Sequence, residues 1–195
     1  MTKSRFLVLL LTLLSGCVGT PEGLTPVSGF EANRYLGHWY EIARLDHRFE
    51  RGLEQVSAHY SQNPDGSIQV INRGYDPEQR QWRQAEGTAK LVGEPSVGQL
   101  KVSFFGPFYG GYNILVLAPD YRYALVCGPD RDYLWILART PSLPEPDLQF
   151  DGAPRAISGT WPRSRPQRPA RSPCDAASGS ASTRPTPSRT AVAAG

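Results

Sequence analysis

The feature that most restricts what this chain can become is a run of short alternating segments separated by turn residues. Apolar and polar residues alternate over 39–45, 55–62, 67–75, 81–92, 99–105, 112–117, 123–127 and 133–139. That is the period-2 pattern of strands with one buried face. Turn chemistry such as Asn63-Pro64-Asp65-Gly66 stands between them, combining a ring-fixed φ with residues that tolerate tight backbone geometry. No stretch sustains the 3.6-residue period of an amphipathic helix. A β-sandwich or a barrel follows. An eight-stranded antiparallel up-and-down β-barrel is expected, because eight strands make the smallest barrel that holds one small ligand and closure removes the unpaired edges.

Strand parity gives such a barrel two unlike ends. In an eight-stranded meander the first strand begins where the last one finishes, and closure makes the two neighbours. Gly37 and Trp39 at the start and Arg139 at the finish are therefore expected to meet. Gly37 lets the backbone bend close to a large ring, and a guanidinium over the Trp39 indole makes a favourable cation–π pair. This end is expected to be plugged. The same parity sends loops 46–54, 76–80, 106–111 and 128–132 to the other, open end.

Two of those loops carry unusual chemistry. Phe104, Phe105, Phe108, Tyr109 and Tyr112 crowd around Gly106, Pro107, Gly110 and Gly111. So many aromatics either pack into the mouth of a cavity or face an apolar partner such as lipid. In the first loop Phe49 lies between Arg48 and Arg51, a combination suited to an amphiphile whose chain goes in and whose carboxylate or phosphate stays at the rim. Alternation sets the inward positions. With Trp39 inward, Glu41 and Ala43 follow; Val56, Ala58 and Tyr60 form a second set, and Val102 and Phe104 with Ile114 and Val116 form others. Glu41 inside the barrel would need a partner or would hold a proton.

No catalytic set is legible. His38, His47 and His59 fall on different elements with no metal-ligand spacing, so neither a metal nor a cofactor is expected. A haem or bilin would need an inward histidine, and His59 lies on the face opposite Tyr60. Cys127 reads as a buried apolar thiol, and neither Gly-x-Ser-x-Gly nor a phosphate loop occurs. The net charge of +3 is misleading, because from residue 151 onward seven arginines face two aspartates. The remainder is net negative and offers no basic groove for nucleic acid.

The chain opens with Lys3 and Arg5, an apolar run from Phe6 to Leu14, and Leu14-Ser15-Gly16-Cys17. Residues 1–16 read as a secretory signal, too short to span a bilayer. The cysteine after Leu-Ser-Gly resembles the bacterial lipobox, which implies acylation of Cys17 and a membrane anchor. Val18 in place of Asp then favours the outer membrane. Residues 17–30, rich in Gly, Pro and Thr, read as an acylated tether, with 31–141 as the barrel.

Gly37-x-Trp39, the segment Ala124-Leu125-Val126-Cys127-Gly128-Pro129-Asp130-Arg131-Asp132-Tyr133-Leu134-Trp135 and Arg139 together resemble the conserved regions of lipocalins. The 35–51 and 101–113 stretches look most like the bacterial outer-membrane lipocalins, and the resemblance covers residues 1 to about 141. It implies a lipid-anchored binding protein of the bacterial envelope, not an enzyme. Its expected ligand is a fatty acid or lysophospholipid, its role lipid storage, transport or membrane repair, and a homodimer is among the expected assemblies. The expected ligand contacts are Glu41, Ala43, Arg48, Phe49, Arg51, Tyr60, Phe104, Phe108, Tyr109 and Tyr112. Two rivals stand beside this reading: a lipocalin-type enzyme, which needs a polar pair in the cavity, and a structural envelope lipoprotein with an occluded barrel. From residue 142 the chain departs from the family. Its prolines and arginines cannot form the usual packed helix, and a disordered tail is expected, as a shifted reading frame would produce, or else a basic surface-binding segment.

Overall fold

The computed structural model describes residues 18–144. The signal, Cys17 and the tail from residue 145 lie outside them. A short helix α1 (Ala32–Tyr35) precedes strands β1 (Gly37–Arg44), β2 (Glu54–Gln62), β3 (Ile68–Asp76), β4 (Gln81–Leu91), β5 (Gln99–Phe105), β6 (Phe108–Leu117), β7 (Tyr123–Cys127) and β8 (Leu134–Ala138). Each strand pairs antiparallel with the next, and β8 pairs with β1, so the sheet closes into a barrel. Among the described residues no helix is long and apolar enough to cross a membrane.

The pleat divides the apolar residues into two sets. One fills the interior and the β1 end: Trp39, Tyr60, Val70, Leu100, Ile114, Val126 and Leu137, joined by Phe30 and Tyr35. The other lies on the outer face of β6–β8, where Leu115, Leu125, Leu134 and Ile136 pack with Leu24 and Leu143. Neighbours such as Ile114/Leu115 and Ile136/Leu137 fall into different sets, as period 2 requires.

Three features differ from the sequence reading. The aromatic loop expected over 106–111 is a tight turn at Gly106 and Pro107, and β6 begins at Phe108, not Tyr112. Gly110 and Gly111 pair with Val102 and Lys101 inside the ladder. Gly111 serves close approach and not a turn, since a Cβ there would stand 3.0 Å from the Gly19 carbonyl oxygen.

The second difference is that the stretch read as a tether is laid along the barrel wall. Thr20 Oγ1 donates to Asn113 Oδ1 at 2.8 Å, and Gln99 Nε2 donates to Thr20 Oγ1 at 3.1 Å. Val27 N–H donates to the Ile114 carbonyl, Gly98 N–H to Val27, and Phe30 N–H to Ser96. Leu24 and Phe30 are buried, and that apolar area favours docking over a free coil.

Third, bulges interrupt the alternation. A register shift between Glu41 and Ala43 in β1 and another between Ile114 and Val116 in β6 each insert a residue that resets the pleat. Ala43 and Val116, expected inward, pack instead with the outer set.

Candidate functional site

At the β1 start, Arg139 lies over the Trp39 indole, 3.9 Å from the ring centroid. Its guanidinium donates to the carbonyls of His38 (2.8 Å) and Arg34 (2.7 Å), and its Nε to Tyr121 (3.4 Å). The fully buried Trp39 donates its indole N–H to the Tyr35 carbonyl at 2.7 Å. Gly37 sits at φ +93, where a side chain is strained, and a Cβ there would come 3.4 Å from Arg139 Nη1. α1 turns the chain inward here, so that Tyr35 stacks on Trp39 with ring centroids 4.6 Å apart. Among the described residues no buried side-chain polar atom of the plug lacks a partner, and the stacked Tyr35, Trp39 and Arg139 close this end.

Above the plug lies a cavity with about 730 Å³ of atom-free space, counting the part that opens to solvent. Only about 100 Å³ of it admits the centre of a water-sized sphere, below the range of about 300–1,000 Å³ usual for small-molecule sites. A long chain therefore enters only as the lining side chains move apart. Its walls are apolar: Val56, Ala58, Ile68, Val70, Ala89, Leu100, Val102, Phe104 and Leu137. Of the candidate contacts, Glu41, Tyr60, Phe104 and Tyr112 line it. Ala43 does not, for the bulge turns it outward.

Polar groups punctuate the walls at two heights. Tyr60 pairs with Gly37 and so lies near the plug. There the Tyr112 hydroxyl bonds to those of Tyr35 (2.8 Å) and Tyr60 (3.0 Å), and burial pushes the Tyr60 hydroxyl up to about 12. Three hydroxyls joined by two bonds leave one O–H proton that neither bond uses.

Four residues further along β1, Glu41 faces the lumen at 3% exposure. Burial and the neighbouring Glu50 charge raise its carboxyl to about 8, against the opposing pull of Arg44. Arg44 Nη1 donates to Glu41 Oε1, while Nη2 donates to the carbonyls of Glu50 (2.8 Å) and Leu53 (3.0 Å). Glu50 also lines the cavity. Trp135 Nε1 donates to its Oε2 at 3.0 Å, and His47 Nε2 stands 3.1 Å from the same oxygen. Burial acts to raise Glu50, but the His47 and Trp135 contacts and the Arg44 charge outweigh it and hold the carboxyl below its ordinary value. The expectation that Glu41 needs a partner or a proton is met on both counts: it has Arg44, and its ionisation is deferred into the neutral range.

Glu50, Trp135 and Tyr35 were not among the sequence candidates. Glu50 sits in a polar loop, which the Arg44 bonds to the Glu50 and Leu53 carbonyls and the Trp135 bond to the Glu50 carboxylate hold over the lumen. Trp135 could have been found, because its indole needs an acceptor wherever it is buried. Of the remaining candidates, Arg48 stacks over Phe49 at 5.2 Å, Arg51 is paired with Asp46 at 3.0 Å, and Lys101 covers Tyr109 at 5.0 Å. None of these reaches the lumen. Phe49, Phe105 and Phe108 stand 61%, 75% and 76% exposed around the open end. Cys127 is buried, and burial drives its thiol up to about 11, away from the reactive thiolate form. His38 and His59 face each other across β1 and β2 with ring centroids 6.3 Å apart, and no larger group of metal-ligating residues forms among the described residues.

Comparison with known proteins agrees with this architecture. The family model described as "Lipocalin-like domain" matches residues 30–150. Outer membrane lipoprotein Blc of Citrobacter freundii is 63% identical over 123 residues, covering 63% of this chain and 70% of that protein. The protein of the same name from Vibrio cholerae is 56% identical over 142 residues, covering 72% and 83%. Among solved structures, the cockroach allergen Per a 4 superposes with a TM-score of 0.54 at 19% identity, covering 66% of this chain and 80% of that one, a likeness of fold alone. The chain therefore belongs to the lipocalin family, within its bacterial outer-membrane lipoproteins.

Proposed function

We propose that this protein is held at the outer membrane through an acylated Cys17 and carries one single-chain amphiphile, a fatty acid or a lysophospholipid, in lipid storage, transport or membrane repair. The observation that supports this most is the cavity's polarity: an apolar sleeve sealed at one end and ringed at the other by aromatics and arginines. A chain threaded into the sleeve gains roughly 0.8 kcal/mol per buried CH₂. The head group stays at the rim, where Arg48 is the better-placed cation because Asp46 already engages Arg51.

One observation favours a second reading. The lumen holds two carboxyls, Glu41 and Glu50, the kind of polar pair that a lipocalin-type enzyme needs. Mass spectrometry of lipids extracted from the purified protein discriminates among the possibilities. A stoichiometric lipid of one chain, recovered unchanged after incubation, is the expected result. Conversion of that lipid would favour the enzyme, and absence of any lipid would favour an occluded structural barrel.

A further inference from the structure

The strap that precedes the barrel has a direction. Val27 bonds to Ile114 and Gly98, and Phe30 to Ser96 beside the β4–β5 turn, at the plugged end. Moving toward the N-terminus, Thr20 bonds to Asn113, and the Glu22 carbonyl accepts from Arg131 Nη2. The Gly19 carbonyl reaches Gly111, itself beside Pro129 of the β7–β8 loop. The chain thus enters at the open end and runs down the wall to the plug. Gly111 is three residues from the start of β6, about 10 Å at roughly 3.3 Å per residue. At the same end Phe105 and Phe108 flank the β5–β6 turn, and Phe49 crowns the β1–β2 loop, all largely exposed.

We infer that the barrel docks mouth-down on a phospholipid bilayer, with Phe49, Phe105 and Phe108 entering the lipid beside the anchor, so that ligand passes directly between bilayer and cavity. This rests on the acyl-anchor reading of Cys17. The reach of the chain supplies the reason. Cys17 immediately precedes Val18, and residues 17–19 span at most about 10 Å when extended. A nine-residue strand such as β2 is about 30 Å long. An anchor entering at the open end therefore cannot bring the plugged end to the membrane unless the strap peels off, which would expose Leu24, Val27 and Phe30. Acyl anchor and aromatic rim then bind the surface together, two weak attachments acting as one. The rim mixes Arg48, Arg51, Arg80 and Arg131 with Asp46, Glu78, Asp130 and Asp132, so insertion of apolar rings, not charge, is what binds, and a zwitterionic surface suffices.

The test uses the full acylated protein in phosphatidylcholine vesicles, in a Cys174→Ser background, with an environment-sensitive dye on Phe108→Cys or on Asp120→Cys in the β6–β7 turn of the plugged end. Brominated lipids should quench the first dye at least about threefold more than the second. The single change Phe105→Ser, at a residue outside the expected ligand contacts, should slow ligand uptake from vesicles by about threefold or more, yet leave affinity for detergent-dispersed ligand within about twofold. Equal quenching of the two dyes, stronger quenching at Asp120→Cys, or vesicle uptake unchanged in the Phe105→Ser variant would overturn the orientation. So would a Phe108→Cys dye shielded from solvent but not quenched, which would mean that a second protein copy covers the rim. A protein that never joins the vesicles would sink the anchor reading and this one with it, whereas a vesicle-bound protein without the quenching asymmetry sinks the orientation alone.

Discussion

The two ends of the barrel are built on opposite terms. At the plugged end the buried polar groups are spoken for: the indole of Trp39 by a carbonyl, the guanidinium of Arg139 by three carbonyls and a ring. At the open end a buried acid deprotonates late, and three phenylalanines face outward. The contrast teaches where stability and function are kept. Satisfied packing at one end holds the closure, and the other end carries the groups that gain from a ligand or a surface.

The largest effect should come from the plug. Trp39→Ala removes a fully buried indole and should cost about 3–5 kcal/mol, measured by urea unfolding. Arg139→Ala should cost less, about 1–3 kcal/mol, through three orphaned carbonyls. The two should couple in a double-mutant cycle, and additive losses would mean that the ring and the guanidinium do not act as a unit.

The acid pair should give an intermediate effect with a definite sign. Glu41 ionises at about 8 in the folded protein against an ordinary value of 4.5, so folding takes up a proton between those values. Its contribution to stability is full at pH below about 4.5 and is lost as pH rises through about 8. Glu50 is lowered and acts in the opposite sense, its contribution falling away as pH drops below the ordinary carboxylate range. Unfolding free energy should therefore fall between pH 5 and 8, and Glu41→Gln should flatten that slope while leaving the acid limb. An unchanged slope in the variant would place the proton elsewhere.

The smallest effect belongs to the rim. Phe105→Ser with Phe108→Ser should change folding stability by no more than about 0.5 kcal/mol, as for other exposed sites. A loss several times larger in thermal unfolding would show that these rings support the fold and are not a surface held ready.

The same two ends differ in how far they could be read from the sequence. The plug was legible because parity and closure are topological: eight strands and Gly37, Trp39 and Arg139 were enough to bring the three together. Inward placement of Glu41, Tyr60 and Phe104 followed from alternation and held, for Phe104 even within the β5–β6 register shift between Val102 and Phe105. It failed at Ala43 and Val116, each just past a bulge, because one extra residue inverts every later position and leaves no local signature in composition. Gly110 and Gly111 were read as a turn, although both sit in the β5–β6 ladder and the missing side chain of Gly111 makes room for the strap at Gly19. The strap itself was misread because Gly, Pro and Thr between Val18 and Phe30 mask the few apolar residues that dock it. Glu50 was missed because its place over the lumen depends on Arg44 reaching back across its loop, a contact that sequence spacing alone does not reveal.

The central claim is that an apolar chain enters the open end and stops at the plug. Trp135, which lines the cavity and donates to Glu50, provides a fluorescent reporter inside the site. Titration with lysophospholipids of increasing chain length should show affinity rising about tenfold for every two added methylenes, the gain expected from roughly 0.8 kcal/mol per buried CH₂, until the cavity is filled, and then levelling. Affinity that is flat across the series from the shortest chain upward would contradict the account.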